Sequence, residues 1–250
     1  MITLGVDLAA EPRKTGLARI AWRQGSAHIT DVRRHVTDDD MVEAIVHADK
    51  AGIDCPLGWP VKFIHFITSH DSGHVALQPG VAGREWRRAL SYRVTDLRAR
   101  QLGLQPLSVS TDRIGVTAMR CAGLMSRLAA MGEPVDRTGA GRVVEVYPAA
   151  SLLRWGFNYR GYKQQKGIKA LDAMVEALQA ALPWLDFGTF DDECRTSDDV
   201  FDAVVSALTA RAAAIGKVEA VPNASLDAAA VEGWIALPTD DIGALQPTDQ

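Results

Sequence analysis

The chain has 250 residues and a mass of 27.0 kDa, is 47% hydrophobic and 23% charged, and carries a formal net charge of −4. This balance supports a sizeable buried core, and it excludes both wholesale disorder and a protein that wraps nucleic acid through overall positive charge. No apolar run reaches the roughly 18 residues of a membrane helix, and the first residues do not read as a signal peptide. The widely spaced Cys55, Cys121 and Cys194 make neither a disulfide framework nor a Cys-x-x-Cys site, so the cytoplasm is the expected compartment.

In chain order, residues 2–8 hold a short apolar run that closes on Asp7, and residues 16–23 alternate as a strand does. Residues 26–33 read as a third strand, with Gln24-Gly25-Ser26 as a tight hairpin, so the first three strands form an antiparallel meander. Met41, Val42, Ile45 and Val46 space an amphipathic helix over 39–49, after a Thr37-Asp38-Asp39 cap. A fourth strand, 51–54, ends before Pro56. Residues 56–110, with four prolines and no clear strand, read as an irregular insertion. A helix is expected over 112–131 after Ser110-Thr111-Asp112, then a fifth strand over 143–147 stopped by Pro148. Helices follow at 149–155, 167–182 and 197–214. The tail from Pro238, with Asp240, Asp241 and Asp249 and no base, reads as loose. The expected fold is α/β: a mixed sheet, three strands antiparallel and the rest parallel, flanked by helices. The 56–110 insertion follows strand four, all within one domain over 1–237 with a flexible tail over 238–250.

Acids stand where a charge is awkward for structure alone. Asp7 and Asp54 close two apolar strands, and Glu145 is bracketed by Val144 and Val146. On the last long helix, apolar on nearly every side, Asp199, Asp202, Ser206 and Thr209 fall within about 80° of one another at ~100° per residue. A helix this apolar is buried, and its narrow polar stripe needs a polar or metal partner. Each acid has a structural alternative: a strand-end turn for Asp7 and Asp54, an edge charge for Glu145, a helix-start acid for Asp199. Taken together, clustered carboxylates repel unless a cation or shared proton compensates, and oxygen ligands point to a hard divalent ion.

Arg84, Arg87, Arg88, Arg93, Arg98 and Arg100 lie within 17 residues, against Glu85 and Asp96, with Trp86 and Tyr92 interleaved. Arginines suit forked phosphate contacts and aromatics can stack on bases; a solvated face with internal pairs such as Arg93–Asp96 is the alternative. Arg160, Tyr162, Lys163, Lys166 and Lys169 make a second basic stretch, read as a solvated face. His65, His70 and His74 with Asp71 could hold a transition metal, but Thr68–Gly73 reads as a loop. Thr138-Gly139-Ala140-Gly141 precedes a strand and reads as a turn rather than a phosphate cradle. No Gly-x-Ser-x-Gly elbow is present.

Gly5-Val6-Asp7-Leu8-Ala9-Ala10 with Thr15-Gly16-Leu17-Ala18, Gly52-Ile53-Asp54-Cys55-Pro56-Leu57-Gly58, Tyr92-Arg93-Val94-Thr95-Asp96, Glu145-Val146-Tyr147-Pro148-Ala149 and Asp198-Asp199-Val200-Phe201-Asp202-Ala203 carry a family resemblance. From residue 2 to about 237 the chain resembles the domain-of-unknown-function family 429, regarded as a predicted nuclease group with an RNase H-like fold. The resemblance implies acids in the first strand, at the end of the fourth and on the last helix, which Asp7, Asp54 and Asp199/Asp202 fill. It departs from the commonest pattern in having aspartate rather than glutamate at position 54, and Glu145 could supply the missing reach.

The expected function is therefore a metal-dependent phosphodiesterase, a nuclease using Mg²⁺ or Mn²⁺. Asp7 would be the central ligand, Asp54 and Asp202 flanking ligands, and Asp199 or Glu145 would complete the set. Arg87, Arg88, Arg93, Trp86 and Tyr92 would hold nucleic acid. Two alternatives remain at this level: an ATP-binding protein of the actin and sugar-kinase superfold, suggested by Gly5-Val6-Asp7 with Thr15-Gly16, and an inactive binding module.

Overall fold

Alternation in the first 34 residues produces three strands in sequence. β1 (Ile2–Asp7), β2 (Gly16–Arg23) and β3 (Ser26–Arg34) pair antiparallel. Gly25, at φ 71°, turns the second hairpin through a conformation that favours glycine. The computed structural model describes residues 1–75, 83–163 and 167–247. α1 (Asp38–Val46) starts on a capping box in which Thr37 and Asp40 satisfy each other's backbone N–H groups. The chain returns as β4 (Lys50–Asp54) parallel to β1, and later as β5 (Val143–Glu145) parallel to β4. A two-residue strand, β6 (Leu185–Asp186), lies parallel to β3. The sheet order is β5-β4-β1-β2-β3-β6, the mixed arrangement expected of an RNase H-like fold with one short strand added at an edge.

Between β4 and β5 the expected irregular insertion is helical instead: α2 (Val61–Asp71), α3 (Gly83–Ser91) and α4 (Val94–Gln101). Its tethers are buried polar groups that hydropathy does not reveal. The Glu232 carboxylate accepts from the Val61 and Val94 N–H groups, capping the starts of α2 and α4, and the Thr95 hydroxyl accepts from Ile235 N–H. His70 therefore lies in helix α2 and not in a loop. α5 (Ile114–Ala130) begins without the expected cap, because the Asp112 carboxylate accepts from Ser108 N–H. α6 (Pro148–Arg154), α7 (Ile168–Ala181), α8 (Asp191–Thr196), α9 (Asp198–Ala214) and α10 (Leu226–Glu232) complete the helices. The tail is not loose as far as residue 247. Ile242 and Leu245 are buried in the α9-side core, and Lys217 pairs with Asp240 at 3.1 Å.

The sheet has two packed faces. Leu4, Val6, Ala51 and Ile53 pack with Met41, Ile45, Cys121 and Leu124 from α1 and α5. On the other face, Ala18, Ile20 and Trp22 pack with α7 and α9. Because a strand alternates its faces, Gly5 and Gly52 face α9, and they are register partners across the β1–β4 pair. A Cβ built at Gly5 would overlap the Ala203 carbonyl oxygen, and one at Gly52 would lie 2.5 Å from the Ser206 carbonyl oxygen. Gly16 likewise meets the Asp199 carbonyl. Helix α9 thus rests its backbone directly on the sheet.

Gly5→Ala is expected to cost about 3 kcal/mol and lower Tm by roughly 6–12 °C. Gly123→Ala, on an open stretch of α5 with nothing within 4 Å, should stabilise by about 0.5–1 kcal/mol. Thermal unfolding of both variants checks this. A Gly5→Ala protein as stable as the parent would mean that α9 is not seated on these glycines.

Candidate active site

The motif Gly-x-Asp occurs at the end of both β1 and β4, and its period of two places each aspartate on the same face as its glycine. Asp7 and Asp54 are register partners on adjacent parallel strands, about 4.8 Å apart in backbone spacing. Helix α9, held close by the glycines, presents Asp202 to the same sheet face, and Asp202 is 1% exposed. Its neighbours in the polar stripe are internally satisfied. The Ser206 hydroxyl donates to the Asp202 carbonyl, and Thr209 donates to the Val205 carbonyl. Asp199 lies in the first turn, partly exposed at the rim.

Two residues outside the expected set complete the cluster. The Tyr162 hydroxyl donates to Asp202 Oδ1 at 2.7 Å, and Lys163 Nζ stands 2.5 Å from Oδ2. Oδ2 is thus held by the Lys163 ammonium, and no other donor among the described residues reaches it. Tyr162 and Lys163 sit in the basic stretch that the sequence presents as a solvated face. Their only cue is an aromatic next to a lysine in a glycine-containing loop.

Burial and mutual repulsion set the electrostatics. Burial, then Asp202 and Asp54, raise Asp7 well above the usual carboxylate range. Burial pushes Asp54 up to about 7, opposed by Lys163 and assisted by Asp202 and Glu145. Asp202 is also raised by burial, with Lys163 and Tyr162 pulling it down. Asp199 is raised by burial and by Asp198. Lys163 is held protonated: Asp202, Asp54 and Asp7 outweigh its desolvation.

The structure sends Glu145 to a different constellation. Arg93, 2% exposed, pairs with Glu145 at 2.7 Å and with Asp96 at 2.8 Å, and donates to the Glu232 carbonyl. Glu145 Oε2 also accepts from Leu57 N–H. Both oxygens of Glu145 are engaged, and the guanidinium of Arg93 is used on Asp96, Glu145 and the Glu232 carbonyl. The other arginines divide. Arg84, Arg87 and Arg88 are exposed on α3, Arg98 pairs with Glu219 at 2.8 Å, and Arg100 lies over the Tyr92 ring at 4.6 Å. Trp86 packs edge-on against Phe66. The expected arginine patch is thus a helix face with three exposed arginines, and its remaining members serve the fold. Lys166 lies outside the described residues.

Beside Asp54 opens a cavity of about 190 Å³, lined by Pro106, Leu107, Val146 and Tyr147 and, on its charged side, by Arg93 and Glu145. Among the described residues, no three His, Cys, Asp or Glu side chains stand as a preformed coordination shell, the histidines included. The donor chemistry nonetheless fits a hard divalent ion. All the donors are carboxylate oxygens, three acids share the ammonium of Lys163, and no other donor among the described residues reaches Asp202 Oδ2.

Asp54 gives the cluster a pH signature. Its carboxyl titrates at a higher pH in the fold than the ordinary 3.8 of an unfolded chain. The native state therefore binds more protons between these values, and stability falls as pH rises through about 7. In chelator, the parent should lose stability from pH 5 to pH 8 relative to Asp54→Asn, whose profile should be flatter. Parallel Tm–pH profiles would contradict the assignment.

No curated protein and no solved structure gives a match to the chain. The family model described as a protein of unknown function, DUF429, matches residues 5–226. With its sheet order and paired Gly-x-Asp strand ends in place, the chain belongs to the DUF429 family.

Proposed function

We propose that this protein is a metal-dependent phosphodiesterase acting on nucleic acid. The observation that carries the reading is the convergence of Asp7, Asp54 and Asp202 from β1, β4 and α9 in a site where burial raises all three acids. Such an excess of buried acid is stable in its ionised form only beside added positive charge. Bound there, Mg²⁺ or Mn²⁺ would supply Lewis acidity and an acidified water for attack on phosphorus.

The chain's own residues define the rest. Asp7, on which both Asp54 and Asp202 act, would serve as the shared ligand, with Asp54 and Asp202 flanking it. The Tyr162 hydroxyl fixes one oxygen of Asp202, orienting the carboxylate toward the strand ends. Asp199, at the rim, is placed to orient water. Arg84, Arg87 and Arg88 on α3 supply exposed guanidiniums for backbone phosphates. The cavity beside Asp54 leaves room for a sugar or base next to the scissile phosphate.

The ATP-binding alternative is less well supported. In the β1–β2 hairpin the Thr15 hydroxyl already accepts from Arg120 and from Ala9 N–H, and donates to the Glu11 carbonyl. A hairpin closed on itself in this way offers no free hydroxyl to phosphate.

Labelled DNA, RNA and hybrid duplexes incubated with the protein and Mg²⁺ or Mn²⁺, with an ATP-turnover control, test the proposal. Cleavage of at least one polymer is expected, abolished by chelator and reduced at least ~10²-fold by Asp7→Asn, as for loss of a major charge-stabilising group. Intact polymers at stoichiometric protein, or equal cleavage by Asp7→Asn, would overturn it.

A further inference from the structure

Lys163 is the cation that the carboxylate cluster already has. Its Nζ lies 2.5 Å from Asp202 Oδ2, and Asp54 and Asp7 act on the same ammonium. The residue before it is fixed. Tyr162 is 1% exposed, packs edge-on against Phe201 at 5.5 Å, and donates to the other oxygen of Asp202. Gly167 closes on the Tyr162 carbonyl so tightly that a Cβ there would be 2.6 Å from it. The Lys163 side chain itself is 52% exposed. A flexible stem therefore leaves solvent from an anchored backbone and ends on a buried oxygen. No other donor among the described residues reaches that oxygen, so the ammonium alone holds it.

Resting on the proposed function above, we propose that Lys163 and a divalent ion compete for Asp202 Oδ2. The ammonium occupies the oxygen in the ion-free protein, holding the three acids together, and withdraws along its exposed stem when the ion enters. Two cations on one carboxylate oxygen repel strongly where water is scarce, so the two states are mutually exclusive. The ammonium's presence explains why the carboxylates surround a lysine and do not stand as a ready-made shell. It also makes Lys163 a determinant of ion affinity: any ion must displace an internal cation before it binds.

Calorimetric titration of Mn²⁺ into the full-length parent and Lys163→Met, at one pH and ionic strength, tests this. Lys163→Met keeps the stem and removes the charge. Its Mn²⁺ Kd is expected to fall at least ~10-fold, while its Tm in chelator drops below the parent's. An equal or weaker affinity in Lys163→Met, with the parent still binding Mn²⁺, overturns the competition and leaves the metal reading standing. Absence of Mn²⁺ binding in both proteins overturns both. A second measurement needs no variant. Acetylation of Lys163 in the parent, followed by peptide mass spectrometry, should accelerate several-fold when Mn²⁺ is added, because the withdrawn Nζ no longer sits against the buried Asp202 oxygen. Unchanged or slower acetylation would contradict the displacement.

Discussion

The direct contact between the backbone of α9 and the sheet at Gly5 and Gly52 is the constraint on which the rest depends. With no side chain between helix and strands, Asp202 reaches the plane in which Asp7 and Asp54 already stand side by side. The same contact buries the acids, and burial is the first cause of each raised pKa. Packing thus generates the chemistry. A helix held out by one methyl layer would leave three ordinary aspartates at a sheet end. Lowered onto glycine, it makes a pocket of acids that must share protons, keep Lys163, or take up a cation.

The molecule has a second buried charge group, and the contrast separates scaffold from site. Around Arg93, the carboxylates of Asp96 and Glu145 are met by a guanidinium whose donors are used on three partners, and Glu232 caps two helix starts close by. This group is saturated. It fastens the helical insertion to β5 and to the end of α10, and removing one partner from such a pair typically costs about 3–5 kcal/mol. Around Asp202, one lysine faces three acids and is the partner of a carboxylate oxygen that no other donor among the described residues reaches. Saturated groups hold a fold, whereas under-neutralised ones have capacity left to bind.

Strand alternation, hairpin glycine and helix spacing made the meander, β4, β5 and the positions of α1, α5, α6, α7 and α9 legible from residues alone, because each is a local property of consecutive side chains. Asp7, Asp54 and Asp202 were legible as a set through their joint pattern, two acids closing apolar strands and one on an apolar helix. Glu145 fitted the same pattern, but its partner was not legible: Arg93 is 52 residues away and reaches it only in three dimensions. Lys163 and Tyr162 were hidden for the same reason in reverse. A basic stretch carries no mark of the buried acid it meets 40 residues later. The insertion read as irregular because α2 and α3 bury no residue and so show no apolar face of their own. The tail's Ile242 and Leu245 are too few to make a period, yet they find the core.

The central claim is that Asp7 belongs to a cation-binding cluster and is not a strand-end residue, and a set of melting curves decides it. Parent and Asp7→Asn are each melted in chelator and in Mn²⁺. An ion that binds only the folded state stabilises it by about 1.4 kcal/mol at ten times Kd, a shift of roughly 3–6 °C for a chain of this size. The account predicts that shift in the parent alone, with Asp7→Asn in chelator at least as stable as the parent because one mutual repulsion is gone. Equal Mn²⁺ shifts in the two proteins, or an Asp7→Asn protein that is destabilised in chelator and still responds to Mn²⁺, would contradict it.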